Sequence, residues 1–386
     1  MKKTILFLSA IILLISCKDD YAPEPSLATP VITITSPASG FSVDIMQWLR
    51  INPQISSIDE VTSSWWLNDE KIGDTQNLLH VFATPGSYNL TLKTSNSIGE
   101  SSKTVTVTVN DATYTPSSRN GQFNNYITRV FDFLPAPGQF VNKMPEATTD
   151  DTPRTMRKKT EEILTSGGMI SLGGFGGYVV FGFDHVVVNQ KGNNFIVLGN
   201  AFTNGAEPGV IMVAVDTNGT GFPDDDTEWF EIAGSEFHKP TTIRDYEITY
   251  YRPESEPATR PYTNYIRWTD NQGDEGWISK NQFHSQAYFP LWAGDKLTLS
   301  GTFMEATIFQ NGTIWQSPAV AFGYADNWAN NDPRGHIDLD WAVDADGNPV
   351  KLKGIDFVRV YTGNRAEGGL LGEISTEVAG FTNLNF

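Results

Sequence analysis

One short stretch of this chain places oxygen-bearing side chains at spacings that suit a hard cation. Residues 216–228 read DTNGTGFPDDDTE, with glycines where a tight loop must turn. Such cations take several oxygen ligands from carboxylates, amides and backbone carbonyls. The stretch predicts a structural Ca²⁺ site, and the alternative is a solvated turn between two strands. The predicted ligands are Asp216, Asn218, Asp224, Asp226 and Glu228.

A second group of residues suits ligand contact rather than catalysis. Trp328 stands in YADNWANNDPR, where polar and turn-forming residues surround it, and such a setting is rare for a core tryptophan. Trp277 and Trp315 have similar but less polar neighbours. Rigid exposed rings supply contact area at a low entropic cost. We therefore predict that a ligand contacts Trp328, Trp277, Trp315, Tyr324 and Asn327.

The known sequence signatures of catalysis are absent. The chain contains no Gly-x-Ser-x-Gly elbow, no His-Glu-x-x-His motif and no Walker loop. Carboxylates are numerous, but the sequence singles out no pair of them for acid–base work. We expect a binding protein without enzymatic activity and without an organic cofactor.

The composition limits the partners and the fold. The 386 residues include 45 acidic and 27 basic side chains, a formal net charge of -18, which argues against nucleic acid as a partner. Because Cys17 is the only cysteine, hydrophobic cores and not intrachain disulfides must hold the fold. Aromatic residues make up 12% of the chain, and the apolar runs are short and β-branched. This composition favours an all-β protein.

The N-terminus predicts export and lipid anchoring. Lys2 and Lys3 precede an apolar run too short to span a bilayer, and the run ends at Ser16-Cys17 in a lipobox-like sequence. We predict a signal peptide at 1–16, lipidation of Cys17 and a tether at 17–29, with the membrane contacted only through the anchor. The triplet after Cys17, Lys-Asp-Asp, resembles the signal that sends lipoproteins of Gram-negative gut anaerobes to the outer face of the outer membrane.

Two β-sandwiches are predicted after the tether. Residues 30–111 alternate apolar and polar positions between frequent turns, and HVFATPGSYNLTLKTSNSIGESSKTVTVTV at 80–109 resembles the second half of a PKD or related Ig-like domain. Residues 153–165 carry the one helix signal, with glycines at 167–168 as its stop. Strand patterns then continue to the end of the chain. We assign 112–386 to a larger jelly-roll-like sandwich that binds the ligand.

A longer run of motifs resembles a family of bacterial surface lipoproteins known as cell surface proteins. It includes SLGGFGG at 171–177, VFGFDH at 180–185, FIVLGNAF at 195–202 and GIDFVRVY at 354–361. The chain is similar to surface cobalamin-binding lipoproteins of this kind. The resemblance implies capture of a corrinoid, such as vitamin B12, for a TonB-dependent transporter. A glycan-binding lipoprotein and a Ca²⁺-stabilised adhesin or structural protein remain the alternatives.

Overall fold

The computed structural model describes residues 28–111, 124–225, 227–369 and 372–385. Strands make up nearly all of its regular structure, which confirms the all-β prediction. Cys17, the predicted signal peptide, most of the predicted tether and Asp226 lie outside the described residues. Within those residues, no helix combines the length and the apolar character needed to cross a membrane.

The chain forms two compact units. Unit 1 comprises Ile51–Leu78, Asn89–Val105 and the described part of Met1–Pro37, and unit 2 comprises Ala38–Arg50, Leu79–Tyr88 and the described part of Thr106–Phe386. Segments of the predicted N-terminal domain thus group with the larger unit. Hydrogen bonds within unit 2 explain part of this, since the Trp48 indole donates to both carboxylate oxygens of Asp356, at 3.0 and 2.9 Å. A boundary near residue 111 stays a prediction.

Nine strands lie before residue 111. In unit 1, β5 pairs with β6 and with β8, and β1 pairs with β4. Trp65, Leu90 and Leu92 are fully buried there, so Trp65 is a core tryptophan of this unit. The strands are β1 (Val31–Thr33), β2 (Phe41–Asp44), β3 (Trp48–Ile51), β4 (Gln54–Ser56), β5 (Thr62–Leu67), β6 (Glu70–Gly73), β7 (Leu78–Val81), β8 (Gly86–Ser95) and β9 (Glu100–Asn110).

The helix α1 spans Pro153–Thr165, as predicted. Thr152 is its N-cap, and its hydroxyl accepts a hydrogen bond from the backbone N–H of Thr155, while the Thr155 hydroxyl accepts one from the Thr152 N–H. Gly167, with φ +81°, follows the helix in the left-handed region that glycine favours. Met156 and Leu164 bury the apolar face of the helix in the main core of unit 2.

A six-stranded sheet forms the centre of unit 2, in the order β10-β12-β23-β14-β15-β22. One face packs in the main core through alternate residues of its strands, among them Val179, Phe181, Val358 and Val360. The strands are β10 (Arg129–Leu134), β12 (Tyr178–Val188), β14 (Gly209–Ala214), β15 (Trp229–Ile232), β22 (Ala342–Val343) and β23 (Gly354–Thr362).

A four-stranded antiparallel sheet, in the order β18-β17-β16-β19, has one face in a second core. Three two-stranded pairs and two short 3₁₀ helices also lie in the described part of unit 2 that follows residue 111. The four strands are β16 (Ile243–Tyr251), β17 (Tyr262–Asp270), β18 (Glu275–Lys280) and β19 (Lys296–Phe303). The pairs are β11 (Ile170–Ser171) with β24 (Glu377–Val378), β13 (Phe195–Leu198) with β25 (Gly380–Asn383), and β20 (Phe309–Asn311) with β21 (Ile314–Gln316), and the 3₁₀ helices are Pro333–Gly335 and Leu339–Trp341.

Candidate functional site

The predicted cation loop is held by hydrogen bonds among its own residues. The Asp216 carboxylate accepts from the backbone N–H groups of Gly219, Thr220 and Gly221 at 2.8 to 3.1 Å. The amide of Asn218 donates to the Asp224 carboxylate at 2.9 Å. Glu228 is exposed, and Asp226 lies outside the described residues. These bonds account for the loop geometry, and Ca²⁺ binding here stays a prediction.

A different set of carboxylates converges in the interior. Glu207, Asp326 and Glu377 place oxygen atoms within 4.8 Å of one another, which is close enough to hold a cation. Burial, with the Glu377 charge as a second cause, raises the pKa of Asp326 to about 8. Burial also raises the pKa of Glu207 and of Glu377. No local sequence pattern predicted this group, because its members lie far apart along the chain.

Three of the predicted ligand residues have internal partners. Tyr324 is 3% exposed, and its hydroxyl accepts a hydrogen bond from the Glu236 N–H at 3.2 Å. Asn327 is 2% exposed, and its side chain bonds to both the N–H and the C=O of Val320. The Trp328 ring is covered by the Arg334 guanidinium, 3.5 Å from the ring centroid. The site proposed below includes none of these three residues.

The other two predicted tryptophans lie on different sheets. Trp315 is half-buried on β21, where it pairs with Gln310 across a hairpin. Trp277 lies on β18 and is 43% exposed. Ile278, the next residue along the strand, belongs to the second core. Alternation along β18 therefore directs Trp277 to the face of the sheet opposite that core.

Trp277 begins a row of side chains that crosses the four-stranded sheet. It is the direct cross-strand partner of Arg267, and Tyr251 is the partner of Lys296. The Arg267 guanidinium joins the two pairs because it lies 4.9 Å from the centroid of the Tyr251 ring. Two aromatic rings thus share the row with two cations. Neighbouring strands are about 4.8 Å apart, which puts the strand positions of Trp277 and Tyr251 roughly 10 Å apart.

A second row on the same face presents hydroxyl groups. Thr269, Thr249 and Thr298 are successive cross-strand partners, and the Thr249 and Thr298 hydroxyls are 2.9 Å apart. The Thr269 hydroxyl also bonds to the Tyr251 hydroxyl at 3.0 Å. This hydrogen bond, with the nearby Lys296 and Arg267 charges, lowers the pKa of Tyr251. We name the surface formed by Trp277, Arg267, Tyr251, Lys296, Thr249, Thr269 and Thr298 the Trp277 platform.

The platform offers stacking and hydrogen bonding side by side. A ligand with an apolar ring face can pack on Trp277 and Tyr251, while its hydroxyl groups reach the threonine row. Sequence reasoning found Trp277 from its polar neighbours. Tyr251 and the threonines were not predicted, because strand register places them on the same face as Trp277 and no local pattern specified that register.

Comparisons with known proteins identify one part of the chain. No curated protein matches this chain. A SusE-like protein of known structure is 6% identical, with a TM-score of 0.28, over 91% of this chain and 96% of that chain. The SGBP-B protein of the Bacteroides ovatus mixed-linkage glucan utilization locus, solved with a mixed-linkage heptasaccharide, is 11% identical, with a TM-score of 0.20, over 80% of this chain and 77% of that one.

A quinonprotein alcohol dehydrogenase-like protein from Bacteroides thetaiotaomicron is 13% identical, with a TM-score of 0.19. That alignment covers 26% of this chain and only 23% of the other protein. None of these three likenesses is close enough to assign a ligand. A family model described as a PKD-like domain matches residues 29–96, so this segment is the PKD-like domain that the sequence predicts.

Proposed function

We propose that the chain binds a neutral glycan on the Trp277 platform, without catalysis, and is displayed at the cell surface by a lipid on Cys17. The observation that carries the proposal is the aromatic row of Trp277 and Tyr251 beside the threonine row, all on one face of one sheet. The lipid anchor and the outer-membrane location rest on the sequence around Cys17.

The chemistry of the platform suits a sugar chain. A pyranose ring has an apolar C–H face, which gains free energy when it covers an aromatic ring, and hydroxyls at its edge that need donors or acceptors. The threonine hydroxyls can both donate and accept. Because the two rings are roughly 10 Å apart across three strands, one extended glycan can cover both of them.

An open, flat surface favours an extended ligand over a compact one. Small-molecule sites are usually concave and bury most of the ligand surface. The platform residues are cross-strand neighbours on one face of one sheet, so we favour a glycan over the corrinoid that the family resemblance implies. Corrinoid capture and the TonB-dependent transporter stay predictions that the same experiment addresses.

The test is affinity gel electrophoresis of the protein against a panel of neutral soluble polysaccharides, followed by isothermal titration. We expect one or more polysaccharides to retard the protein, with affinity rising as the oligosaccharide lengthens. Trp277→Ala removes a stacking ring and should weaken binding at least about tenfold, the effect of losing a hot-spot aromatic. Trp315→Ala, which changes a half-buried tryptophan outside the platform, should bind as the wild type does.

Three outcomes would contradict the proposal. Equal binding by Trp277→Ala and the wild type would move the site away from the platform. Tight one-to-one binding of cyanocobalamin, with no retardation by any polysaccharide, would support corrinoid capture instead. Absence of binding in every titration would leave the adhesin or structural alternative as the better account.

A further inference from the structure

A cavity of about 330 Å³ lies on the six-stranded sheet, on the face turned away from the main core. Its floor includes Asp132, Val180 and Arg359, which are successive cross-strand partners in one line. We name it the Arg359 pocket and define it by Phe131, Asp132, Tyr178, Phe222, Trp229 and Arg359. The pocket shares no residue with the Trp277 platform.

Arg359 is the unusual member of this line. Its Nε is buried and has no hydrogen-bond partner, and its guanidinium meets no acidic side chain of the described chain within ion-pair distance. Its nearest ring contact is with Tyr178, whose centroid is 4.3 Å from Cζ, and the Tyr361 centroid lies at 5.7 Å. A buried donor without a partner is costly, and a planar oxyanion is the group that the guanidinium fork fits.

The walls of the pocket are aromatic, and a second cation lies at its rim. Arg129 stacks on both Phe131 and Phe222, with Cζ at 4.8 and 4.3 Å from the ring centroids. Phe222 is 49% exposed on the loop that begins at Asp216. Two guanidinium groups that stack on aromatic rings stand out on a chain of net charge -18. The site suits a negative group attached to a ring.

Asp132 narrows the choice of ligand. Its carboxylate accepts from the Tyr178 hydroxyl at 2.6 Å and from the Phe133 N–H at 2.8 Å, which leaves lone pairs for further donors. Burial raises the pKa of Tyr178, so its hydroxyl stays protonated and donates to Asp132. A bare anion would meet repulsion from this carboxylate. A ligand with hydroxyl groups at its other end would satisfy it.

We infer that the Arg359 pocket binds a hydroxylated cyclic carboxylate of the sugar-acid class. The ligand carboxylate would pair with Arg359, a ring hydroxyl would donate to Asp132, and the ring would pack against Phe222 and Trp229. This inference goes beyond neutral glycan binding on the Trp277 platform and stands independently of it.

The experiment is isothermal titration of the full chain with sodium D-glucuronate, using D-glucose as the uncharged analogue of the same ring. We expect glucuronate to bind, glucose to bind at least about tenfold more weakly, and added salt to weaken the glucuronate complex. Arg359→Met keeps much of the side-chain bulk and should weaken glucuronate binding at least about tenfold. Arg244→Met removes another arginine that stacks on a ring, 5.6 Å from the Phe237 centroid, and should leave it unchanged.

Phe222→Ala tests the pocket independently in case the Arg359 variant does not fold. It changes an exposed loop residue and should also weaken glucuronate binding. Trp277→Ala should leave glucuronate binding intact, which separates this result from the fate of the platform. Equal binding of glucose and glucuronate, or full affinity in Arg359→Met, would overturn the inference. If inorganic phosphate bound the pocket as tightly as glucuronate does, the pocket would be a site for a simple anion and the sugar-acid inference would be wrong.

Discussion

The two candidate sites of unit 2 use similar residue types in opposite ways. On the Trp277 platform the Arg267 guanidinium already has partners, since it pairs with Glu275 at 2.7 Å and stacks on Tyr251. In the Arg359 pocket the guanidinium has no hydrogen-bonding partner at Nε. The platform is an open sheet face, whereas a loop carrying Phe222 closes one side of the pocket.

This difference indicates what each site can recognise. With Arg267 paired, ring faces and hydroxyls are the main groups that the platform offers to a ligand, and these recognise shape and polarity without charge. An unsatisfied guanidinium in a concavity makes charge the main criterion. We therefore propose that one unit of the protein presents separate surfaces for neutral and acidic ligands.

The strongest test of this contrast is Tyr251→Ala. Loss of the second ring should weaken binding of a long neutral oligosaccharide by about tenfold and binding of a short one much less, because only the long chain reaches both rings. Glucuronate affinity should not change. Tyr262→Ala, which removes another exposed tyrosine from β17, is the matched control. If titration showed that Tyr251→Ala binds both the long oligosaccharide and glucuronate more weakly, the two sites would be coupled.

A second test concerns the buried carboxylate of Glu207. Its titration should change the stability of the fold, and it should change the affinity of neither candidate site. Burial and the Glu377 charge raise the pKa of Glu207 above its usual 4.5, so the folded chain keeps a proton that the unfolded chain loses as pH rises. The free energy of unfolding should therefore fall between pH 4.5 and the raised pKa. Glu207→Gln cannot ionise, and it should melt roughly 3 °C above the wild type at alkaline pH, with a smaller difference at acidic pH.

Thermal unfolding followed across pH measures this effect, and Glu247→Gln, at an exposed position of β16, is the control. Affinities for neutral glycan and glucuronate should be the same in the folded variant and the wild type. A wild-type melting temperature that climbs with pH over this range, with no gain from Glu207→Gln, would refute the stability argument.

The smallest expected effect comes from Tyr178→Phe. Its hydroxyl orients Asp132 in the Arg359 pocket, and removing that hydrogen bond should lower the free energy of unfolding by about 1 kcal/mol. Glucuronate binding should weaken by about twofold, and neutral glycan binding should not change. Tyr251→Phe is the mirror experiment, because it removes the bond to Thr269 on the platform. Unchanged glucuronate affinity in Tyr178→Phe would show that the position of Asp132 does not matter.

Local patterns were enough for the elements of the fold. Alternating apolar residues predict the strands, and the helix signal over 153–165 with its Gly-Gly stop predicts α1, because both depend on neighbours within a few positions. The PKD-like domain at residues 29–96 was recognisable for the same reason. Exposure of Trp277 also followed from its polar neighbours.

The sequence by itself thus determined the all-β class, the PKD-like segment and one exposed tryptophan, since each rests on short-range periodicity or turn chemistry. Only the tertiary structure decided which side chains meet. Strand register joins Trp277 to Arg267 and Arg359 to Val180, and chain folding brings Glu207 to Asp326 and Glu377. Register and long-range packing depend on the free energy of the whole core. The polar residues around Trp328 therefore predicted an exposed ring but could not show that Arg334 covers it.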